Sequence, residues 1–316
     1  MDLNVCVVGT VFIDCKGFSF NRYYPDGRNL GDISFVHGGV GRNVADNLAR
    51  LELPVTLVSS VDKTAMGKEV IDNLKQKQID TSYIMEAAND GMGMWLAIID
   101  NNGDLVGSIS KMPDLKLLEK LIDEQGRMII DQSTHVVLEL DLNEQLTRNV
   151  LNLCKEAGKP IYGIPGNLDI VKRNLDLLPE LECFICNDFE AGQIINYDLG
   201  GMDLEEIKDL LVKNFFTEKL SAKYMVVTLG SRGSIYHDSN SNITGYQEAI
   251  PTDVIDTSGA GDAFFSGTVA ALIRNLTMQE SAYHGSKIAS WTISCSESIC
   301  YDLKNKAYGE DKFLLL

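Results

Sequence analysis

The sequence is poor in what would hold it to a nucleic acid or carry it into a membrane. Its 316 residues contain 28 Lys and Arg against 45 Asp and Glu, a formal net charge of −17. Binding of a nucleic-acid polymer is dominated by cationic contacts to phosphate, so that partner is disfavoured. No apolar run approaches the roughly 20 residues that a bilayer-spanning helix needs. The N-terminus, Met1-Asp-Leu-Asn-Val-Cys-Val-Val-Gly, lacks a basic region and a long apolar stretch, so no signal peptide is expected. A cytoplasmic protein without membrane contact follows as the expectation. The four histidines show no metal-ligand spacing. The seven cysteines are an odd number, mostly inside apolar runs, which suits reduced core thiols. Cys183-Phe-Ile-Cys186 has C-x-x-C spacing, but no second pair completes a zinc site. With only 7 prolines and 45% hydrophobic residues, the chain fits a globular α/β protein rather than a disordered one.

What is present is an alternation of strand-like and helix-like segments. Val5–Val8 is an apolar strand, and Pro54–Ser59 is another, followed by a helix over Met66–Gln76. Further along, helix 114–124 precedes strand Val136–Leu140, helix 143–157 and strand Pro160–Ile164. Strand Cys183–Cys186 leads to helices 188–195 and 203–217, then strand Tyr224–Leu229. Such an order predicts a parallel sheet covered on both faces, in one domain over 1–316. Two regions, about 10–36 and 92–110, break the rhythm with extended pieces and turns such as Asn101-Asn102-Gly103. Together they are expected to form a small sheet projecting from the main body.

The most informative stretch is Asp256-Thr257-Ser258-Gly259-Ala260-Gly261-Asp262-Ala263-Phe264-Phe265. It opens an amphipathic segment with Phe264, Phe265, Val269, Leu272 and Ile273 at helical spacing. Gly259 and Gly261 lack a Cβ, so their N–H groups can face outward at a helix N-terminus, where an anion is favoured. Asp262 in that first turn is placed to take a proton from a hydroxyl beside a bound phosphate. The plainer reading makes Asp256 or Ser258 an N-cap and Asp262 a first-turn acid. Three other stretches accompany it. Gly38-Gly39-Val40-Gly41-Arg42-Asn43 is glycine-dense before a helix, so its backbone can approach a ligand closely. Asn187 and Glu190 form an N-cap capping box or orient waters about a magnesium ion, roles that can coexist. Val226 to Gly233 is a strand running into a glycine turn.

Together these stretches resemble the signatures of the ribokinase-like (PfkB) carbohydrate kinases, over roughly residues 4–300. Asp256 to Phe264 matches D-T-x-G-A-G-D-x-F, Gly38 to Asn43 matches G-G-x-x-x-N, Asn187 and Glu190 match N-x-x-E, and Thr228 to Gly233 matches T-x-G-x-x-G. The resemblance implies a three-layer α/β/α sandwich with a mostly parallel central sheet and a small β-sheet lid over the sugar. It makes Asp262 the catalytic base and Gly259, Ala260 and Gly261 the anion hole. Asp14, Gly38, Gly39 and Asn43 become sugar contacts, with Asp141 another. Asn187, Thr228, Gly230, Gly233 and Ser286 fall on the nucleotide side, with Glu190 reaching Mg2+ through water and Asp256 and Ser258 holding a monovalent cation such as K+. ATP is the implied phosphate donor, and the lid often pairs two subunits, so a homodimer is expected.

Departures are informative. Where many ribose-phosphorylating members have Asn, this chain has Phe12, an aromatic suited to stacking on a base or sugar face, or to the core. Val61-Asp62-Lys63 replaces the usual Val-Gly-x-Asp, and Ile164-Pro165 replaces Asp-Pro; neither lies in the catalytic core. Gly-Gly-Val-Gly-Arg-Asn, the early Ile-Asp-x-Lys-Gly and the late Ser-Cys-Ser-Glu-Ser most resemble bacterial pseudouridine kinases. The expected activity is therefore ATP-dependent phosphorylation of a primary hydroxyl on a sugar or nucleoside, pseudouridine or a related ribosyl compound first. A ribokinase- or fructokinase-type enzyme is the alternative within the class. A non-catalytic sugar or nucleoside sensor on the same fold is the alternative outside it. A dinucleotide-binding dehydrogenase does not fit, because the first glycine turn is not G-x-G-x-x-G. Phosphosugars need several cations, and candidates are few: Lys16, Arg22, Arg42 and Lys111.

Overall fold

The computed structural model describes residues 2–310 apart from 141 and 167. Two sheets organise the chain. The larger holds nine strands in the order β13-β12-β11-β10-β9-β8-β1-β4-β5. Its parallel part comprises β1 (Val5–Val8), β4 (Val55–Asp62), β5 (Ile84–Ala87), β8 (His135–Glu139), β9 (Ile161–Ile164), β10 (Cys183–Asn187) and β11 (Tyr224–Thr228). An antiparallel hairpin, β12 (Ser234–Asp238) and β13 (Ile243–Gln247), closes one edge. The smaller sheet has the order β3-β2-β6-β7, from β2 (Phe12–Ser19), β3 (Gly31–Gly38), β6 (Gly93–Ile99) and β7 (Leu105–Lys111).

Strand alternation divides the core into two layers. Val5 and Val7 of β1 face one apolar cluster, whereas Cys6 and Val8 face the other. The first is completed by α1 (Val40–Arg50), α2 (Ala65–Gln76), α8 (Ala260–Ile273), α9 (Met278–Ile293) and α10 (Leu303–Glu310). The second is completed by α3 (Lys116–Asp131), α4 (Glu144–Ala157), α5 (Leu168–Arg173), α6 (Asp188–Ile195) and α7 (Leu204–Asn214). Residues such as Leu48 and Ile122, each contributing about 2–3 kcal/mol by leaving water, lock both layers to the sheet. This is the expected α/β/α sandwich with a second, smaller sheet.

Several local expectations are revised. The helix over 114–124 runs on to Asp131, since Gly126 leaves room for Leu153 of α4, which a Cβ would meet at 2.7 Å. Helix α8 is not amphipathic: every residue from Ala263 to Ile273 is buried. Its polar side chains are satisfied within the helix, Ser266 donating to the Asp262 carbonyl at 2.6 Å and Thr268 to that of Phe264 at 2.9 Å. Gly267 and Gly285 let α9 come close enough to cover it. Cys183 and Cys186 are buried in β10, and burial pushes both thiols up, which leaves them protonated and poor ligands. Among the described residues no helix is long and apolar enough to cross a membrane.

Candidate active site

The parallel strands deliver their C-terminal ends to one edge of the sheet, where ligands bind in doubly wound folds. Gly9 and Thr10 follow β1, Glu139 ends β8, and Asn187 and Thr228, paired across β10 and β11, end theirs. Helix α8 brings Asp262 to this edge in its first turn. Its N-cap is neither Asp256 nor Ser258 but Gly259, at φ 74° with no side-chain cap. That conformation requires glycine, and a Cβ there would also sit 2.1 Å from the Ser298 carbonyl oxygen. The Ala260 N–H is turned inward and donates to Thr257 at 3.2 Å. Among the described residues, the N–H groups of Gly259, Gly261 and Asp262 have no hydrogen-bond partner, and a Cβ on Gly261 would meet nothing within 4 Å. Of the three residues expected to form the anion hole, Ala260 is thus the one with its amide already engaged.

Asp262 is half-buried and accepts from Asn43 Nδ2 at 2.7 Å. Burial pushes its carboxyl to about 7; the Asn43 bond opposes the rise, and the nearby Glu139 and Asp14 carboxylates add to it. Burial likewise raises Asp14, with Lys16 and Arg42 pulling it back. The Asp14 carboxylate lies against Gly38, where a Cβ would come within 2.5 Å of it.

The amide of Asn43 is oriented from behind. Arg42 is buried and donates from one guanidinium nitrogen to Asn43 Oδ1 at 2.9 Å and to the His37 carbonyl at 3.0 Å. This leaves Asn43 Nδ2 to face Asp262. Arg42 is held in turn by Asp46 at 3.0 Å, which also receives Arg50 at 2.7 Å and Lys77. Three cations hold the fully buried Asp46 below the usual carboxylate range despite its desolvation. Arg42 therefore serves local structure rather than standing free for a ligand.

The glycine run before α1 also has an internal explanation. Gly39, at φ 95°, caps the helix, and a Cβ there would lie 2.6 Å from the Thr10 carbonyl oxygen. Gly41 packs on Gly9, with Glu139 beside them. Glu139 accepts from the Gly41 N–H at 3.0 Å, from the Thr10 N–H at 2.6 Å and from the Thr10 hydroxyl at 2.8 Å. Sequence reasoning passed over Glu139. The available signal was a carboxylate inside the apolar run Val136-Val137-Leu138-Glu139-Leu140, a residue that must find partners when its strand is buried.

The remaining expected residues lie on several elements. Phe12 is half-buried with its ring across Gly93, on the face of β2 that also carries Asp14. Asn187 and Glu190 form a full capping box at 2.8 Å in both directions. Burial raises the Glu190 carboxyl, opposed by the Asn187 N–H. Thr228 ends β11, Gly230 stands in open space at φ 60°, and Gly233 passes within 2.2 Å of the Gln247 carbonyl oxygen if given a Cβ. Ser286 is buried on α9 beside Gly285, in the helix layer. Asp256 and Ser258 meet Lys16 of β2. Asp141 lies outside the described residues. A cavity of about 580 Å3 opens along α6, lined by Asp188, Phe189, Gln193 and Tyr197; it contains none of the carboxylates around Asp262.

A carboxyl raised by burial thus stands beside helix-start amides that have no partner among the described residues, at the C-terminal edge of a doubly wound sheet, an arrangement suited to an anion and to proton transfer. The chain belongs to the pfkB family of carbohydrate kinases, whose model matches residues 2–303, and is an ATP-dependent sugar or nucleoside kinase. It is similar to the guanosine-inosine kinase of Exiguobacterium acetylicum, with 37% identity over 294 residues covering 93% of this chain and 95% of that protein. It is also similar to the pseudouridine kinase of Escherichia coli strain K12, at 24% identity over 92% of this chain and 90% of that one. The fold matches Arabidopsis thaliana ribokinase in complex with ribose and ATP, with a TM-score of 0.79 at 21% identity over 96% of this chain and 98% of that one.

Proposed function

We propose that the protein transfers the γ-phosphoryl group of ATP to the 5′-hydroxyl of a purine ribonucleoside, with Asp262 as base. The observation that carries this reading is the Asp262 carboxyl, poised at about 7 beside the open amides of Gly261 and its own residue. The hydroxyl proton passes to Asp262 as its oxygen bonds to the γ-phosphorus. The bond to the β-phosphate oxygen breaks, and ADP leaves. The N–H groups of Gly259, Gly261 and Asp262 stabilise charge on the transferring group, so positioning and electrostatics supply most of the rate. Asp14, Gly38, Gly39 and Asn43 bind ribose hydroxyls, with Phe12 against the base or sugar. Asn187, Thr228, Gly230 and Gly233 line the nucleotide, with Ser286 on its adenine side.

Among the described residues no three acidic, His or Cys side chains converge on a metal position. That suits Mg2+ arriving on the triphosphate, because the ion keeps several waters and few protein ligands. One carboxylate oxygen of Glu190 accepts the capping bond, leaving the other to reach the ion through water. When bound, Mg2+ draws charge from the transferring phosphoryl oxygens.

A nucleoside is favoured over a phosphosugar because three of the four candidate cations, Lys16, Arg42 and Lys111, are already paired with Asp256, Asp46 and Asp90, which leaves Arg22 where several cations are needed. A purine base is favoured over pseudouridine by the greater similarity to the guanosine-inosine kinase, 37% against 24% identity. An ADP-release assay over guanosine, inosine, pseudouridine, ribose and fructose tests both points. Preference for guanosine or inosine is expected, with the phosphate on the 5′-oxygen by 31P NMR. Binding without ADP release would identify a sensor instead, and a preference for ribose or pseudouridine would overturn the purine assignment.

The small sheet acts as a lid and pairs two subunits. Phe35, Cys15, Leu96 and Ile109 lie opposite one another across its four strands, so they share a face. Ile33, Phe35 and Ile109 of that face are 70%, 57% and 68% exposed, whereas Asp14 and Lys16 point the other way. A contiguous apolar face of this kind marks an association surface. Ile33→Lys combined with Ile109→Lys is expected to convert a dimer into a monomer by light scattering; a monomeric parent protein would remove the proposal.

A further inference from the structure

Lys16 is a cation in an unusual place. It stands on β2, is 4% exposed, and shares its face of the small sheet with Asp14. Its Nζ lies 3.2 Å from Asp256 Oδ2 and 3.3 Å from Ser258 Oγ, across a sequence separation of more than 200 residues. Asp256 and Ser258 are the side chains expected to hold a monovalent cation, yet their donor atoms are already engaged. Asp256 Oδ1 accepts the Ser258 N–H at 2.8 Å, Oδ2 faces the ammonium, and Ser258 Oγ faces it too. A K+ ion on this pair would sit against a like charge, so the residues present do not fit it.

We propose that the Lys16 ammonium is the resident cation at Asp256 and Ser258, replacing a bound alkali ion and tying the small sheet to the loop that precedes the anion-binding turn. The inference rests on the kinase reading. An ammonium carries the same unit charge as K+ and directs its donors at oxygen, so it can hold the loop as an ion would. A buried lysine needs such a partner, since an unpaired one would lose its charge or disrupt its surroundings. The loop is also fixed from its other side, where the Ile255 and Asp256 N–H groups donate to the Ile293 carbonyl at 2.8 and 3.3 Å. Closing the small sheet over a nucleoside and setting Gly259 to Asp262 for the phosphate thus become one event.

The test compares the wild-type enzyme in KCl and in choline chloride at equal ionic strength, and separately seeks rubidium by anomalous scattering in wild-type crystals soaked in RbCl. Rates agreeing within about twofold, and no rubidium at Asp256 or Ser258, are expected. A rate about tenfold higher in KCl, or rubidium bonded to either side chain, overturns the proposal. Lys16→Met is expected to lower kcat/KM about 10–100-fold in choline, with partial recovery in KCl as the vacated position admits the ion. A variant with wild-type kinetics in both salts overturns the coupling. Absence of turnover with guanosine and inosine by the wild-type enzyme in every salt would sink the purine-nucleoside reading, while the rubidium map still decides the cation question.

Discussion

Three helix starts meet at the ligand-binding edge, and they are finished in different ways. Helix α6 is closed by its own side chains, Asn187 and Glu190 satisfying each other's backbone N–H groups. Helix α1 begins at a glycine with no side-chain cap and is closed from outside, by Glu139 at Gly41 and the Thr10 carbonyl at Arg42. Helix α8 also begins at a glycine, but nothing described closes its Gly261 and Asp262 amides. Helix-start donors that face solvent can exchange their water for a ligand, so the open start is where we place the phosphate. The two glycine starts face each other through the Asn43–Asp262 bond, which puts the closed one to use as a support for the open one.

The strongest way to break this contrast is to remove the carboxylate and keep the shape. Asp262→Asn should lower kcat by about 10³–10⁴-fold while ATP still binds, measured by steady-state kinetics and calorimetry. The same change should stabilise the fold. The Asp262 carboxyl titrates at about 7 when folded, above its ordinary 3.8, so its charge opposes folding. That penalty is absent below pH 4, grows between 4 and 7, and is complete above 7. Denaturant unfolding at pH 8 should therefore show the variant more stable by roughly 2–4 kcal/mol, with no gain at pH 4. Wild-type turnover in the variant would remove Asp262 from the chemistry.

A smaller blow falls on the open space itself. Gly261→Ala introduces a methyl group where no atom stands within 4 Å, and alanine suits a helix better than glycine. Stability should hold or rise by up to about 0.5 kcal/mol. Activity should fall about 10–100-fold, because the methyl group intrudes where the phosphate must sit. Equal activity would mean that the phosphate lies elsewhere.

Acid sharpens the comparison further. A base must be ionised, so kcat/KM should fall about tenfold per pH unit below 7. Asn43 stabilises the ionised form, so in Asn43→Ala the midpoint of that limb should move to higher pH, whatever the loss in rate. A midpoint that stays in place would mean Asn43 does not hold the base during turnover.

Much of this was legible in the residues alone, because strand-helix alternation, the Asp256–Phe264 string and the capping pair are all local patterns. What escaped was whatever depends on partners far along the chain. Glu139 looked like a strand residue, and its role appears only when Gly9 and Gly41 bring two backbones around it. Lys16 looked like a loose cation until β2 carried it to Asp256. Spacing of Phe264, Phe265, Val269, Leu272 and Ile273 made α8 appear amphipathic; Ser266 and Thr268 between them are buried as well, because internal hydrogen bonds satisfy their hydroxyls and α9 approaches closely. The hairpin β12–β13 was missed because its residues, from Ser234 to Gln247, alternate over short runs with polar interruptions.

The gentlest perturbation addresses the closed start. In Asn187→Ala the Glu190 N–H loses its acceptor, and the capping box is halved. A lost N-cap is worth about 1 kcal/mol, so thermal or denaturant unfolding should register a loss of that order. If α6 only borders the nucleotide, the KM for ATP should rise a few-fold while kcat holds, because binding weakens equally in ground and transition states. A collapse of kcat with unchanged stability would reverse the assignment of roles. It would mean that Asn187 acts on the transferring group and that the capping box opens during turnover, leaving α6 as exposed to ligand as α8.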